Sequence, residues 1–410
     1  MNALVFRPLA SIAWILPGGS LVELARRSMG FGVAILAVSV VVAQALATFD
    51  PGPTAPSHAA RPIAQPDLAA VVRPIRVTLG DDSLVLDEAR LAAVATVARA
   101  RVVIDADALD DLVAAIAAEL DVPARDAVLR ASGGGFAIVP DLAGRRVDRA
   151  DLANRLAVAL LSGDGGQVVR PRVLPSSAAI GAERLATAVA VSAFTTHFPA
   201  NRARATNIKL AAARLDGQVV KSGETFSFWA RLGDVSYESG FVDAGAIIDG
   251  RSDKALAGGI CQVSTTLFNA VARAGYRIDE RHAHSYYIER YPIGLDAAVF
   301  LPAEDFRWTN DTSDAVLIRS FADDASVTFR LYSVPSGRDV TFGAPIQRNL
   351  VLPDTKQAAD PAYPAGYVVR GRDVLATRTI SKDGSVIRRD TWASHYLPVW
   401  GGPAVALTLR

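Results

Sequence analysis

The sequence predicts an α+β, multidomain, membrane-anchored chain, and three observations carry that expectation. First, 410 residues exceed what one hydrophobic core usually serves. Second, strand-like and helical runs share the early part of the folded region, whereas the tail alternates with a period of 2. Third, an uncharged stretch of about 21 residues precedes both, long enough to cross a hydrocarbon core of about 30 Å. Charge adds little: 43 Lys+Arg against 42 Asp+Glu leave a net +1, so nucleic acid is not an expected partner.

Residues 1–28 read as a cytoplasmic N-terminus, because Arg26 and Arg27 precede the apolar span at 29–49 and Asp50 follows it. The alternative is a cleaved secretory signal with Ala43–Ala45 as the small-residue site, although the 28-residue leader is long for that. Either way the remainder is exported, so the expected location is the cell membrane, single-pass, with the bulk of the chain outside the cytoplasm. Residues 50–74 carry six prolines within an extended spacer, "PGPTAPSHAARPIAQPDLAAVVRP".

From 75 to 175 the pattern is that of a small α+β module. "DADALDDLVAAIAAEL" puts Leu109, Leu112, Val113 and Ile116 on one helical face, with Asp105 or Asp107 as N-cap. "VDRADLANRLAVALL" repeats this with Leu152, Leu156 and Leu160, and Gly133–Gly135 predict a hairpin between the two helices. No catalytic constellation occurs there. Residues 180–334 are richer in aromatics and turns, and end in a predicted hairpin around Asp323 and Asp324. Residues 335–410 read as a small all-β unit whose hairpin turns at Asp383–Gly384.

The chemistry-bearing stretch is "LAGGICQVSTTLFNAVARAGY", which holds Cys261, the one cysteine of the chain. Val263, Leu267, Val271 and Ala274 recur at helical spacing and Gly275 supplies a stop, so a helix runs over about 261–274 with Cys261 in its first turn. The free N–H groups and positive end of a helix favour a thiolate there, and Gly258 and Gly259 allow a close approach. "YRIDERHAHSYYIERYP", taken as a strand, places Glu280, His282, His284 and Tyr286 on one face, offering two imidazoles as a base. If Tyr291–Gly294 is a four-residue hairpin loop, Leu301 faces His284 and Asp296 falls opposite Glu289, away from both histidines. Asp305 and Asn310 then remain candidates to orient the histidine. Gln262 and the first-turn amides are candidate oxyanion donors.

Other readings stay open. A free cysteine beside glycines also suits plain core packing, and His-x-His plus Cys261 supplies three ligands of a zinc site, though no second cysteine or H-E-x-x-H supports a metal. Nothing calls for a cofactor. Neither S-x-x-K nor G-x-S-x-G occurs.

Four blocks, "AFTTHFPANRARATNIKLAAARLDG" (193–217), "SGETFSFWARLGDVSYESGFVDAGAIIDG" (222–250), "GGICQVSTTLFNAVARAGYRIDERHAHSYYIERYPIGLDAAV" (258–299) and "DFRWTNDT" (305–312), resemble the VanW family, named for an accessory product of vancomycin-resistance clusters. The family pattern falls on Arg204, Asn207, Phe228, Cys261, Gln262, Thr265, Arg281, His282, His284, Asp296 and Asn310, among others. It brings Asp296 into the catalytic set with Cys261, Gln262, His282 and His284. Arg204, Asn207, Phe228, Thr265, Arg281, Tyr286 and Asn310 become the candidate substrate-binding residues. Ser222 stands where the family usually has Pro, and Trp229 where it has Asn. Residues 75–175 resemble the peptidoglycan-binding module found with VanW domains and with some L,D-transpeptidases, and the terminal unit resembles a divergent G5-type β module. The resemblance implies an envelope role on peptidoglycan or its stem peptides, either as a Cys/His-dependent amide hydrolase or transpeptidase or as a non-catalytic wall-binding protein.

Overall fold

A computed structural model describes residues 73–402, apart from 99–100, 163–166, 249–250, 355, 357–358, 361–362 and 364. The expected N-terminal segment, apolar span and nearly all of the spacer lie outside the described residues. Among the described residues no helix is long and apolar enough to cross a membrane.

The first region combines strands β1 (Ile75–Leu79) and β2 (Asp82–Leu86) with helix α1 (Ala106–Leu120), strands β3 (Val128–Ser132) and β4 (Gly135–Val139), helix α2 (Arg149–Ser162) and the short β5 (Val168–Val169). Asp105 caps α1 by accepting the Ala108 amide at 3.0 Å, satisfying one of the orphan first-turn donors. Leu109, Val113 and Ile116 from α1 meet Leu152, Leu156 and Leu160 from α2 in a core with Val77 and Leu86. The β3–β4 hairpin turns at Gly133–Gly134. It leaves this core and packs Phe136 on Tyr332 of the next region, with ring centroids 5.2 Å apart.

The second region is built on a four-stranded antiparallel sheet. Its order is β6 (Val189–His197), β14 (Ser326–Ser333), β13 (Val316–Ala322) and β7 (Val219–Val220). The Asp323–Asp324 turn joins β13 to β14; the Asp323 side chain accepts the Ala325 and Ser326 amides, which closes it. Helix α3 (Arg202–Leu215) lies on β13, and helix α4 (Ile260–Arg273) lies on β6, β14 and α3. A second small sheet orders β8 (Thr225–Ser227), β12 (Arg307–Thr309) and β11 (Arg277–Glu280). The hairpin of β9 (Asp243–Ile248) and β10 (Arg251–Leu256) leads into α4.

Helix α4 is unusual in being buried on all sides: Ile260 and every residue from Gln262 to Ala272 are buried. A helix hydrophobic all round needs no polar partner. This one carries Gln262, Ser264, Thr265, Thr266 and Asn269 inside, so its neighbours must supply hydrogen bonds. Gly259 precedes it with φ +113, a left-handed entry that a side chain would strain. A Cβ at Gly258 would meet the Ala244 carbonyl oxygen at 2.3 Å. The closeness that Gly258 permits is therefore used by the β9–β10 hairpin, and that of Gly259 by Ile208 and Arg204 of α3.

The C-terminal region, β15 (Arg338–Phe342), β16 (Ile346–Val351), β17 (Gly371–Lys382) and β18 (Ser385–Tyr396), is a twisted antiparallel sheet. One edge of the long β17 pairs with β15 and β16 in succession, and the other pairs with β18. Asp383 and Gly384, at φ +51 and +75, form the tight turn of the β17–β18 hairpin.

Candidate functional site

The site begins with a match of repeats. Cys261, Thr265 and Asn269 stand four residues apart on one row of α4, about 6 Å per step. The extended segment 295–299 runs antiparallel to that row and advances about 6.6 Å every two residues. The two therefore stay in step. The Cys261 thiol donates to the Val299 carbonyl at 3.5 Å, Thr265 Oγ1 accepts the Ala297 amide at 2.9 Å, and Asn269 Nδ2 donates to the Leu295 carbonyl at 2.7 Å. With residues 295, 297 and 299 facing the helix, Asp296 must point the other way.

On that other side lies His284. The segment after β11 runs beside 296–298 through an antiparallel bridge of His282 with Ala298, which sets His284 opposite Asp296. This corrects the hairpin expectation. Tyr291–Gly294 is not a four-residue loop between paired strands; the connection is longer and irregular, turned by Tyr291 N–H to the Ile288 carbonyl and Leu295 N–H to the Pro292 carbonyl. The register moves by five residues and brings Asp296 to His284. Asp296 Oδ2 accepts both the His284 backbone amide, at 2.7 Å, and its Nδ1, at 2.6 Å. Nε2 is thereby left free of Asp296, and the Cys261 thiol lies close enough to the imidazole for each to shift the ionisation of the other. The Tyr291 ring stacks on the imidazole at 5.6 Å. Asp296 Oδ1 accepts Arg281 Nη2 and the Tyr396 hydroxyl, each at 2.6 Å. A buried carboxylate with four donors has little reason to protonate.

Electrostatics follow from this geometry. Burial pushes the Cys261 thiol up, but the hydrogen bond and charge of His284, with the nearby Arg204 guanidinium, outweigh it and hold the thiol below its ordinary value. Burial likewise disfavours the imidazolium, yet the bonds to Asp296 and Cys261 raise His284 to about 9. Burial also opposes ionisation of Asp296, and His284 and Arg281 together overcome it, leaving that carboxyl far below the usual carboxylate range. The two shifts run in the directions that favour a thiolate beside an imidazolium.

The structure brings together Cys261, His284 and Asp296 and separates the rest. His282 is not on a common strand face with His284: β11 ends at Glu280, and His282 Nε2 turns to Glu280 Oε1 at 2.9 Å. The His-x-His–Cys zinc set is therefore not assembled, and among the described residues no group of three metal-binding side chains occurs. Gln262 cannot point its amide at an oxyanion, because Nε2 donates to Thr196 and to the His197 carbonyl while Oε1 accepts Arg204 Nη2 at 3.0 Å. Asp305 accepts Ser227 Oγ at 2.6 Å and the Trp229 amide, and Asn310 donates to the Val220 and Asp314 carbonyls.

Of the expected substrate contacts, most are interior. Asn207 joins Val242 and Gly258 through three hydrogen bonds. Phe228 is in the core, Thr265 holds Ala297, Arg281 holds Asp296, and Tyr286 packs with Val369 and Val399. Arg204 alone retains an unfilled donor: its Nε has no hydrogen-bond partner, while the two Nη atoms hold Gln262 and the Gly245 carbonyl. A cleft of about 380 Å³ opens nearby, lined by His197, Pro199, Tyr287, Glu289, Arg290 and Tyr367 among others. Tyr287 donates to the Tyr291 carbonyl at 3.2 Å, which puts the cleft wall one side chain from the ring that stacks on His284.

Sequence reasoning missed Asn269, Tyr291 and Tyr396. The Cys-x-x-x-Thr-x-x-x-Asn spacing could have pointed to the first, but nothing local marks the other two.

Residues 203–332, which hold this whole cluster except Tyr396, match the family model "VanW like protein", and residues 76–169 match the model "Putative peptidoglycan binding domain". The 203–332 segment is thus similar to the VanW family, and the segment before it to a peptidoglycan-binding module. The chain is 40% identical over 141 residues to the uncharacterized protein YoaR of Bacillus subtilis, covering 34% of this chain and 46% of that one. It is 28% identical over 134 residues to the vancomycin B-type resistance protein VanW of Enterococcus faecalis, covering 31% and 48%. The chain therefore spans about half the length of the curated relatives it matches. Among solved structures, an Enterococcus faecium L,D-transpeptidase with a Cys-to-Ser substitution aligns over 26% of this chain and 43% of its own. Its identity is 13% and the TM-score is 0.20, too low to argue from.

Proposed function

We propose that this protein is an extracytoplasmic, membrane-anchored envelope protein. In this reading it engages peptidoglycan through its upstream module and cleaves or transfers amide bonds of the stem peptides with Cys261. One observation carries the catalytic reading: His284 is bonded by Asp296 through Nδ1 and is electrostatically coupled to Cys261. That is the nucleophile, base and orienting group of a thiol acyl-transfer site.

The chemistry runs as acyl transfer. The Cys261 thiolate adds to a peptide carbonyl, and the first-turn amides of α4 with Arg204 Nε stabilise the oxyanion. His284, as imidazolium, gives its proton to the departing amine, leaving a thioester on Cys261. Water or a second amine then attacks the thioester, His284 takes the proton, and the thiol leaves as thiolate. Asp296 keeps the imidazole in the tautomer that presents Nε2 to sulfur and stabilises its charge. The cleft lined by Tyr287 and Arg290 is linked to the site through Tyr291, which stacks on His284, so in this reading the incoming peptide would lie along that cleft. The test is digestion of purified peptidoglycan by wild type, Cys261→Ser and His284→Ala, with muropeptides resolved by chromatography. The reading expects a changed profile with wild type alone. An unchanged profile, together with Cys261 alkylation by iodoacetamide that appears only on unfolding, would leave a wall-binding protein with a structural thiol.

A further inference from the structure

We infer that the C-terminal sheet is a working part of the Cys261 site and that Tyr396, at the end of β18, is a positioning residue for it, acting through Asp296. This inference rests on the acyl-transfer reading above. It adds to that reading a residue 64 positions beyond the family-matched segment, which ends at 332.

Three contacts carry it. The Tyr396 hydroxyl donates to Asp296 Oδ1 at 2.6 Å and accepts the Gly294 amide at 3.2 Å, and the side chain is 1% exposed. Two residues earlier on the same strand, Ser394 Oγ accepts Arg281 Nη1 at 2.9 Å, and Arg281 holds the same Oδ1 through Nη2. Where the sheet crosses the loop before Asp296, a Cβ at Gly294 would come within 2.8 Å of Val374 on β17, so the loop is shaped to receive that strand. The far end of the nucleophile's helix is held as well. Arg378, fully buried, donates to the Ala272 and Tyr276 carbonyls, the place where a cation complements the helix dipole.

The consequence concerns geometry. Asp296 has two oxygens with separate tasks: Oδ2 accepts the backbone amide and Nδ1 of His284, and Oδ1 accepts Tyr396 and Arg281. Two donors on Oδ1 fix the carboxylate plane, and that plane fixes the imidazole. With Tyr396→Phe the carboxylate would be held on that side by Arg281 alone. It would also carry more charge toward His284. The variant should therefore show a slower reaction together with an imidazolium that gives up its proton at higher pH. A merely structural loosening would let water in and move that proton the opposite way. The charged and titratable groups facing the pair are Cys261, Arg204, Arg281, Tyr291 and Tyr396.

The experiment is iodoacetamide alkylation of Cys261 in the folded full chain from pH 4 to 10, for wild type, Tyr396→Phe and Ser394→Ala, with peptidoglycan turnover measured in parallel. Wild type should alkylate at pH 6 well above an unperturbed thiol; if it does not, the acyl-transfer reading itself fails. Given that it does, Tyr396→Phe should lower turnover about tenfold with little change in KM. It should also raise the upper apparent pKa of the alkylation profile by about half a unit, equal to about a threefold change in the imidazolium ratio. Ser394→Ala, which leaves Tyr396 in place, should give a smaller loss of turnover. A Tyr396→Phe protein that melts normally and matches wild type in turnover and profile overturns the inference. So does one whose upper pKa falls. Should Tyr396→Phe fail to fold, the Ser394→Ala result decides: wild-type turnover and profile overturn the role of β18, and a partial loss supports it.

Discussion

The interior of the upstream module and the interior around Cys261 are made on different principles. Between Ile75 and Val169 the core is Val, Leu, Ile and Ala from two helices and a small sheet, and Asp148 is the one buried polar residue among those described there. Around Cys261 the buried set includes Thr196, Asn207, Gln262, Ser264, Thr265, Thr266, Asn269, His284 and Asp296. Apolar burial stabilises at about 25 cal/mol per Å² without regard to direction, whereas each buried polar group must find a partner of the right geometry or cost about 1–3 kcal/mol. A fold that needed only stability would have no use for so many directional groups on one helix. Thr265 and Asn269 among them hold the 295–297 segment that carries Asp296 to His284.

The sharpest way to break the comparison is at the sulfur. If the polar interior serves a thiolate, His284→Ala should lower Cys261 alkylation at pH 6 by at least about tenfold and peptide turnover by about 10² to 10⁴, while a urea melt still shows a folded chain. Alkylation equal to wild type would mean that the histidine is scaffold, and the two interiors would differ in composition but not in task. Next in size is Asp296→Asn. It leaves Arg281, whose side chain is 2% exposed, without its counter-charge, and breaking a buried pair in this way costs about 3–5 kcal/mol. Equilibrium urea unfolding measures that loss. The comparator in the other region is Leu156→Ala, which removes a fully buried leucine from the module and should cost about 2–5 kcal/mol with the alkylation profile of Cys261 unchanged.

How much of this was legible in sequence depends on the range of the interaction. The N-cap at Asp105, the apolar faces of α1 and α2 and the turns at Gly133, Asp323 and Asp383 are local signals, and local rules read them. Cys261 in the first turn of α4 was legible for the same reason. The partner of His284 was not. A period-2 reading of 277–287 assumed one strand, and a short-loop reading of 291–294 then fixed the wrong register, because nothing in those residues announces that the strand stops at Glu280. The true register is imposed from outside, by the four-residue row on α4 meeting the two-residue repeat of 295–299. Gln262 shows the converse error. Its place beside the cysteine suggested an oxyanion donor, but its amide is satisfied by Thr196, His197 and Arg204 before any ligand arrives.

The comparison also has a pH signature. His284 has its folded pKa raised to about 9 against an unfolded value near 6.5, so the stability it contributes is fully present below about 6.5 and is lost as pH rises through about 9. Asp296 and Cys261 have lowered values. Their contributions are present above their unfolded values and disappear as pH falls through the folded ones. Wild type should therefore lose stability in acid; between about pH 6.5 and 9 the His284 loss opposes the Cys261 gain, and His284→Ala, which removes that loss, should change the slope on the alkaline side. Urea midpoints taken across pH check this, and an alkaline side equally steep in both proteins would place the titration elsewhere.

The smallest effect expected is the one that separates the two histidines. His282 and His284 lie two residues apart in the same stretch, yet His282 has a side chain 36% exposed and pairs with Glu280, itself 33% exposed. An exposed pair of this kind contributes about 0–1 kcal/mol and is screened by salt. Its imidazole turns to Glu280 and not to Cys261, because the strand ends at Glu280 and the side chain folds back on that carboxylate. His282→Ala should therefore leave both turnover and the alkylation profile within about twofold of wild type and shift the urea midpoint by less than about 1 kcal/mol. A loss comparable to that of His284→Ala would show that the bridge register differs in solution and that His282, not His284, is the imidazole on the sulfur.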